Sequence, residues 1–173
     1  SHFHHDHTGG LIEFLKINSN VNVFYPQSFP QELIVTINNS GAVPIPVFDS
    51  MEILPDVFSL GEIDGKIPEQ SLALRSPEGI VIITGCAHPG IIYILEKAKS
   101  ILPGELIYLA LGGFHLHRST EEEVTYTVTK FFDLDVLTVA PTHCSGETAR
   151  KLFKKEFDKN YIEVGAGKIV EIK

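Results

Sequence analysis

The chain has few basic residues and no long apolar run, and both shortages exclude classes of function. Lys and Arg number 14 against 22 Asp and Glu among 173 residues, which gives a net charge of −8. A nucleic-acid binder that relies on a broad basic surface is therefore disfavoured, because phosphate contacts need clustered Lys and Arg. The longest apolar runs, such as 80–83 and 106–111, are far shorter than the roughly 20 residues that cross a bilayer. We expect neither a nucleic-acid nor a membrane partner.

Cysteine is scarce, and an initiator methionine is missing. Cys86 and Cys144 are the two cysteines, too few for a disulfide scaffold, and no signal peptide precedes them, which favours a reducing cytoplasm. Solenoid repeats and low-complexity tracts are also lacking. At 43% apolar residues, the composition predicts one globular domain that spans residues 1–173.

The second half of the chain alternates between strand and helix patterns. Apolar runs predict strands, and 3.6-residue periods predict helices; the strands lie at 80–84, 106–111 and 136–140, and the helices at 91–102, from Ser119 onward and at 147–157. Ser119 stands three residues before Glu122, as in a capping box. Residues 161–164 and 168–172 resemble a final hairpin.

The first half is less regular. A short amphipathic helix is predicted around Leu11–Leu15 and a strand at 21–25. The segment 26–74 is rich in Pro, Asn and Gly, and we predict a small meander there, with β-type runs at 33–37, 43–48, 57–60 and 71–75.

Each predicted strand of the second half is followed by a loop that carries a histidine. His88, His115 and His143 follow strands in turn, at intervals of 27 and 28 residues, and each has glycines nearby. In successive strand–helix units, this spacing puts the three side chains at the carboxyl ends of neighbouring strands, where layered α/β folds bind ligands. Taken together, the three histidines predict a metal site.

The opening residues supply the remaining candidate ligands. Four of the eight histidines fall within the first seven residues, in the pattern His2-x-His4-x-Asp6-His7. Alternation in an extended stretch sends His2 and His4 to one side, and a tight turn brings Asp6 and His7 to a second point nearby. A purification-tag remnant is the alternative explanation. Asp6 interrupts the histidine run, however, and amphipathic sequence follows directly.

Imidazoles with one carboxylate form a nitrogen-rich donor set that suits Zn²⁺, with iron or manganese as substitutes. Seven candidate ligands exceed the needs of one tetrahedral ion, so the sequence predicts either two ions or one ion with a large outer shell. The candidates are His2, His4, Asp6, His7, His88, His115 and His143.

The residues near these histidines receive weaker assignments. His117 shares a face with His115 if the strand continues, and a cap of the loop is the alternative. Arg118 beside it is a candidate phosphate partner; an exposed loop arginine is the alternative. His5 points away in the alternation. Cys86 and Cys144 could be ligands, but we predict small buried thiols at strand ends.

The motifs resemble those of the metallo-β-lactamase fold superfamily. SHFHHDHTGG matches its HxHxDH motif, and EQSLAL, TGCAHPGI, GGFHL and PTHCSG follow in that order. The set resembles the branch of dihydropterin-ribofuranosylaminobenzene-phosphate synthase-like proteins. This resemblance implies an αββα sandwich with a metal pair at one edge, held by His2, His4 and His88 at one ion and by Asp6, His7 and His143 at the other.

Two departures from the superfamily pattern affect these expectations. Many members have a bridging Asp where this chain has His115, so His115 would bind one ion, orient water or lie behind the site. Superfamily members also have strands before HxHxDH. We therefore expect an α/β chain that lacks its N-terminal strands, and such a truncation would favour a homo-oligomer or impair metal binding.

The expected function is metal-dependent hydrolysis of a small, phosphorylated substrate by activated water. Asp6 would orient the nucleophile, and His115 or His117 would donate a proton to the leaving group. Two alternatives stay open. One is a diphosphate-releasing dihydropterin transferase, and the other is an inactive fragment or a binding module in which the metal only stabilises the fold. Oxygen reduction at a diiron site is disfavoured, because that chemistry generally has a carboxylate at the position of His4.

Overall fold

A computed structural model describes residues 1–172 of the chain. Over this range it contains six α-helices and eight strands, which are α1 (His5–Thr8), α2 (Leu11–Ile17), β1 (Asn22–Pro26), α3 (Gln31–Asn39), β2 (Val43–Val47), β3 (Met51–Leu54), β4 (Val57–Ser59), β5 (Leu72–Ser76), β6 (Gly79–Thr84), α4 (Ile91–Ile101), β7 (Ile107–Gly113), α5 (Glu121–Asp133), β8 (Val136–Thr142) and α6 (Glu147–Phe157). A short 3₁₀ turn at His143–Ser145 lies between β8 and α6, and a second one at Asp158–Asn160 follows α6.

The main sheet has strands β3 to β8 in chain order, so each strand pairs with its neighbours in sequence. Pairing is antiparallel from β3 to β6 and parallel from β6 to β8. The two parallel connections pass through α4 and α5, as expected for βαβ units. The strand and helix predictions for 80–157 are therefore confirmed, and β6, β7 and β8 end at one edge of the sheet.

One face of this sheet packs against the three long helices. Ile82 and Ala110 from the strands meet Leu95 of α4 and Phe131 of α5 in a single buried cluster. Phe153 of α6 completes it, with its ring centroid 4.9 Å from that of Phe131. Burial of these apolar side chains fixes the helices on the sheet, and hence the loops between them.

The opposite face is covered by the C-terminal segment, where the predicted hairpin is wrong. Tyr161 makes a single bridge to Val139, and within residues 162–172 no strand forms. Ile162 and Val170 instead pack on Val81 and Leu109. Their alternating apolar pattern is satisfied by burial against the sheet, without a ladder of backbone hydrogen bonds.

The predicted meander at 26–74 is also wrong in its first part. Residues 33–37 lie within helix α3, which connects β1 to β2 in a parallel pair. Leu15 of α2, Ile37 of α3 and Ala42 form the buried centre of this unit. The β-branched content of α3 indicated a strand, but the parallel pairing of β1 and β2 requires a crossover, which the helix supplies.

Two smaller findings concern the helices. The capping box of α5 uses Thr120 and Glu123, one residue later than predicted: the Glu123 N–H donates to Thr120 Oγ1 at 3.3 Å, and the Thr120 N–H donates to Glu123 Oε2 at 2.8 Å. Among residues 1–172, no helix has the length and apolar character needed to span a bilayer.

Candidate metal centre

The loops after β6, β7 and β8 carry the three predicted histidines, and each loop bends through a left-handed backbone conformation. Ala87 has φ 62°, His115 φ 54° and His143 φ 49°. Non-glycine residues rarely adopt positive φ, and each such residue costs about 1–3 kcal/mol. Strain at the same edge of three adjacent strands is typical of a functional site.

Glycines allow these loops to approach one another and the N-terminus. A Cβ atom on Gly113 would collide with the Gly85 carbonyl oxygen, and a Cβ atom on Gly85 would collide with the Ser1 side chain. The Gln70 N–H donates to the Ser1 carbonyl oxygen at 2.9 Å. The N-terminal residues are thereby anchored directly over the ends of the parallel strands.

His2, His4 and His88 form one group of imidazoles. The distance between His2 Nε2 and His4 Nδ1 is 3.0 Å, and the His88 ring centroid lies 4.6 Å from that of His2 and 5.0 Å from that of His4. His2 is fully buried. Among the described residues, the buried Nε2 atom of His88 has no hydrogen-bond partner.

Asp6, His7 and His143 form a second group. The distance between the two Nε2 atoms is 3.2 Å, and Asp6 Oδ2 lies 3.4 Å from His7 Nε2 and 3.3 Å from His143 Nε2. The predicted separation of the HxHxDH residues into two neighbouring points therefore agrees with the geometry.

Both groups suit a transition metal. With zinc–nitrogen and zinc–oxygen bonds of about 2.0–2.2 Å, the ligand atoms of a tetrahedral site lie about 3.3–3.6 Å apart. The three spacings in the Asp6 group, 3.2–3.4 Å, are close to these values. In the His2 group, the buried His88 Nε2 atom has no hydrogen-bond partner. Coordination to a metal ion would satisfy this nitrogen.

Glu69 is a central residue that the sequence analysis missed. Its side chain is fully buried, and it accepts three backbone N–H bonds: Oε1 from Cys86 at 2.7 Å and Ala87 at 3.1 Å, and Oε2 from His88 at 2.9 Å. Glu69 Oε2 also lies 3.6 Å from His2 Nδ1. One carboxylate thus holds the His88 loop and lies next to the His2 ring, and the sequence signal for it was the EQSLAL segment.

Sequence comparison finds two relatives in Methanocaldococcus jannaschii. One is named 7,8-dihydropterin-6-methyl-4-(β-D-ribofuranosyl)-aminobenzene-5′-phosphate synthase and is 29% identical, over 99% of this chain and 73% of the relative. The other is an uncharacterized protein, 35% identical over 53% of this chain and 34% of its own length. No protein-family model matches the chain.

Structural comparison decides the fold. A crystal structure described as a metal-dependent hydrolase of the β-lactamase superfamily matches 91% of this chain and 73% of its own chain, with a TM-score of 0.77 and 29% identity. The chain has the metallo-β-lactamase fold. The resemblance inferred from HxHxDH and the strand-end motifs is confirmed.

Within the metallo-β-lactamase fold of this chain, the electrostatics favour the neutral form of several imidazoles. Burial lowers the pKa of His2 to about 4, despite the opposing charge of Glu69. Burial also lowers the pKa of His7 and, with help from His115, that of His88. Burial acts to raise the pKa of Glu69, but its three backbone hydrogen bonds outweigh this effect and the net pKa is lowered. Neutral imidazoles are the form that binds metals.

Two further histidines continue from His88. The His115 ring centroid is 4.2 Å from that of His88, and the His117 ring centroid is 5.2 Å from that of His115. His115, His117 and Arg118 are all exposed, as is His5. His115 therefore lies beside the first group, while the Asp6 group is completed by His143. The metal-binding and catalytic roles of these residues stay predictions.

The pKa of His2 predicts that the metal-free chain loses stability in acid. Unfolded His2 binds a proton below its ordinary pKa of 6.5, whereas folded His2 does so near pH 4. The unfolded state therefore binds more protons between these values, and the free energy of unfolding falls as the pH drops from 6.5 to 4. Urea denaturation of chelator-treated protein at pH 7 and pH 5 measures this change.

A pair of histidine variants provides the control for this pH dependence. His2→Asn should reduce this pH dependence without abolishing it, because the pKa values of His7 and His88 are also lowered, whereas His5→Asn, at an exposed position, should leave it unchanged. Equal stability of the parent protein at pH 7 and pH 5 would show that burial of neutral histidines does not govern its acid sensitivity.

Proposed function

We propose that this chain is a metal-dependent enzyme that joins a dihydropterin, activated as its diphosphate, to a ribofuranosylaminobenzene phosphate. The observation that carries the proposal is the similarity to the M. jannaschii synthase over 99% of this chain. The histidine groups support a metal-dependent reaction, as does the likeness to a metal-dependent hydrolase.

The proposed reaction balances without a redox partner. The amino nitrogen of the aminobenzene attacks the methylene carbon on the pterin ring, and a carbon–nitrogen bond forms. The bond between that carbon and the diphosphate oxygen breaks, and diphosphate leaves as an anion. The nitrogen loses one proton, so the site must accept a proton and accommodate the negative charge of the leaving group.

The chain's residues fit these needs. His2, His4 and His88 would hold one ion, and Asp6, His7 and His143 a second. Divalent metal ions at such a site supply positive charge that stabilises a departing phosphate oxygen. Because the protein is acidic overall, with net charge −8, this local charge would be decisive for attracting an anionic substrate.

His115 is the candidate proton acceptor. Partial desolvation of the exposed ring, followed by the neighbouring His117, lowers its pKa, so the neutral imidazole is favoured near pH 7 and can take the proton of the attacking amine. His117 extends the line of imidazoles toward solvent. Exposed Arg118 follows directly and would pair with a substrate phosphate.

A cavity of about 200 Å³ adjoins His88 and His115. Its walls include the apolar side chains of Ile91, Phe114 and Leu116. An apolar slot beside the candidate proton acceptor suits a flat aromatic ring, which would lie within reach of the metal groups. This placement supports an aromatic substrate for the site.

The test is an incubation of the purified chain with divalent metal and both substrates. Chromatography should show a pterin-linked product that accumulates in equal amount to diphosphate. His115→Ala should slow the reaction by about 100-fold or more, the usual contribution of a general base. His5→Ala, also an exposed histidine, should leave the rate unchanged. Failure to form any linked product with metal-loaded protein would reject the synthase proposal.

A second candidate function is hydrolysis of a phosphorylated substrate, favoured by the structural likeness to a metal-dependent hydrolase. Water would then replace the amine as the attacking group, and the same proton acceptor would serve. Release of phosphate or diphosphate in the absence of the aminobenzene substrate, with no linked product in its presence, would favour this function over the synthase.

A further inference from the structure

Cys86 lies between the two histidine groups. Its Sγ atom is 3.3 Å from His7 Nε2. Ligand atoms of Cys86, His7 and His143 all lie within 4.8 Å of one another, and so do those of Cys86, His2 and His88. The sulfur is therefore positioned among candidate metal ligands, although the sequence suggested a small buried thiol with a packing role.

The backbone fixes this sulfur in place. Cys86 is 4% exposed, and its N–H donates to the buried Glu69 carboxylate at 2.7 Å. Its carbonyl oxygen accepts a hydrogen bond from Cys144 Sγ at 3.4 Å. Both polar groups of the Cys86 backbone are thus engaged, and the side chain faces His7.

We propose that Cys86 is a thiolate ligand of the metal ion held by Asp6, His7 and His143. This inference rests on the proposed metal centre and adds a donor that the histidine motifs do not contain. In a tetrahedral zinc site with bonds of about 2.0 Å to nitrogen and about 2.3 Å to sulfur, the two ligand atoms lie about 3.5 Å apart. The observed 3.3 Å between sulfur and His7 Nε2 is close to this value.

A sulfur donor changes which metals the site accepts. Thiolate ligands favour Zn²⁺, Co²⁺ and Cd²⁺ over the oxygen-preferring Mn²⁺ and Mg²⁺. Metal binding forms a metal–sulfur bond and breaks the S–H bond, and the proton passes to solvent. We therefore expect Co²⁺ binding to be accompanied by absorption in the near ultraviolet from charge transfer between thiolate and cobalt.

The test is titration of the chelator-treated protein with Co²⁺, followed by absorption spectroscopy. The parent should show both the visible bands of a low-symmetry cobalt site and the near-ultraviolet thiolate band. Cys86→Ser should keep cobalt binding and lose the thiolate band. Cys144→Ser tests the competing sulfur, because ligand atoms of Cys144, Cys86 and His115 also lie within 4.8 Å of one another. A serine hydroxyl can still donate to the Cys86 carbonyl, and this variant should keep the band. Circular dichroism would confirm that both variants are folded.

The outcomes separate this inference from the proposed function. Visible cobalt bands without a thiolate band in the parent would overturn the Cys86 assignment and leave the histidine centre intact. No cobalt binding by the folded parent would overturn both. If the band were lost in Cys144→Ser and kept in Cys86→Ser, the thiolate ligand would be Cys144 and the proposal would be wrong. If each substitution halved the band, the proposal of a single thiolate ligand would be contradicted.

Discussion

Replacing Glu69 by glutamine is expected to lower the free energy of unfolding by about 1–3 kcal/mol, the cost of leaving a buried hydrogen-bonding group unsatisfied. The carboxylate accepts N–H bonds at both oxygens, two at Oε1 and one at Oε2. A glutamine side chain has one oxygen, so its NH₂ group must face at least one backbone N–H of the His88 loop. Urea denaturation of chelator-treated protein measures the loss.

The same substitution should also weaken metal binding. Glu69 positions the His88 loop and lies next to His2 Nδ1, and residues that orient metal ligands in this way affect metal affinity by about 10–100-fold. Zinc competition against a coloured chelator would show this decrease.

Glu62→Gln is the matched control for Glu69. The Glu62 carboxylate accepts one backbone N–H, from Ser28 at 2.7 Å, and a glutamine oxygen can take its place. We expect a change within about 0.5 kcal/mol. If Glu69→Gln changed the free energy of unfolding and the zinc affinity no more than Glu62→Gln does, Glu69 would not organise the metal centre.

Replacing Asp6 by asparagine should reduce zinc affinity by at least about 10–100-fold while leaving the metal-free fold intact. The Asp6 side chain is 58% exposed, so its removal leaves no buried cavity, and surface changes of this kind alter stability by about 0.5 kcal/mol or less. The loss would come from the missing negative charge beside His7 and His143. Isothermal titration with zinc would measure it, and product formation should fall in parallel.

Asp133→Asn supplies the comparison. Asp133 pairs with Lys130 at 2.8 Å and is similarly exposed, at 53%, but it lies at the C-terminal end of α5 and its ion-pair partner is not a candidate ligand. Zinc affinity should be unchanged in this variant. Equal affinity in Asp6→Asn and the parent would remove Asp6 from the metal centre.

Local pattern was sufficient to predict the sheet edge at which the candidate ligands meet. The β-branched run at 80–83 and the helical period at 91–102 fixed the order of β6, α4 and β7, and parallel pairing then placed the loops of His88, His115 and His143 together. The HxHxDH spacing predicted two groups of donors, because alternation and a short turn are local properties. The structure shows both groups.

Long-range contacts were beyond the reach of such patterns. Glu69 is 17 to 19 residues from the three N–H groups that it binds, and nothing periodic connects them. The position of the Cys86 sulfur near His7, 79 residues away, depends on how the N-terminal residues are anchored at Gln70. The C-terminal apolar residues predicted a hairpin because alternation does not distinguish a paired strand from a segment buried against a sheet.

The central claim is that the two histidine groups at this sheet edge bind transition metal, and metal analysis tests it most directly. The parent protein, His88→Ala and His5→Ala should each be exposed to excess zinc, dialysed and measured by mass spectrometry. We predict one to two zinc ions per chain in the parent and in His5→Ala, and fewer in a folded His88→Ala. A folded parent that retains no transition metal would contradict the account.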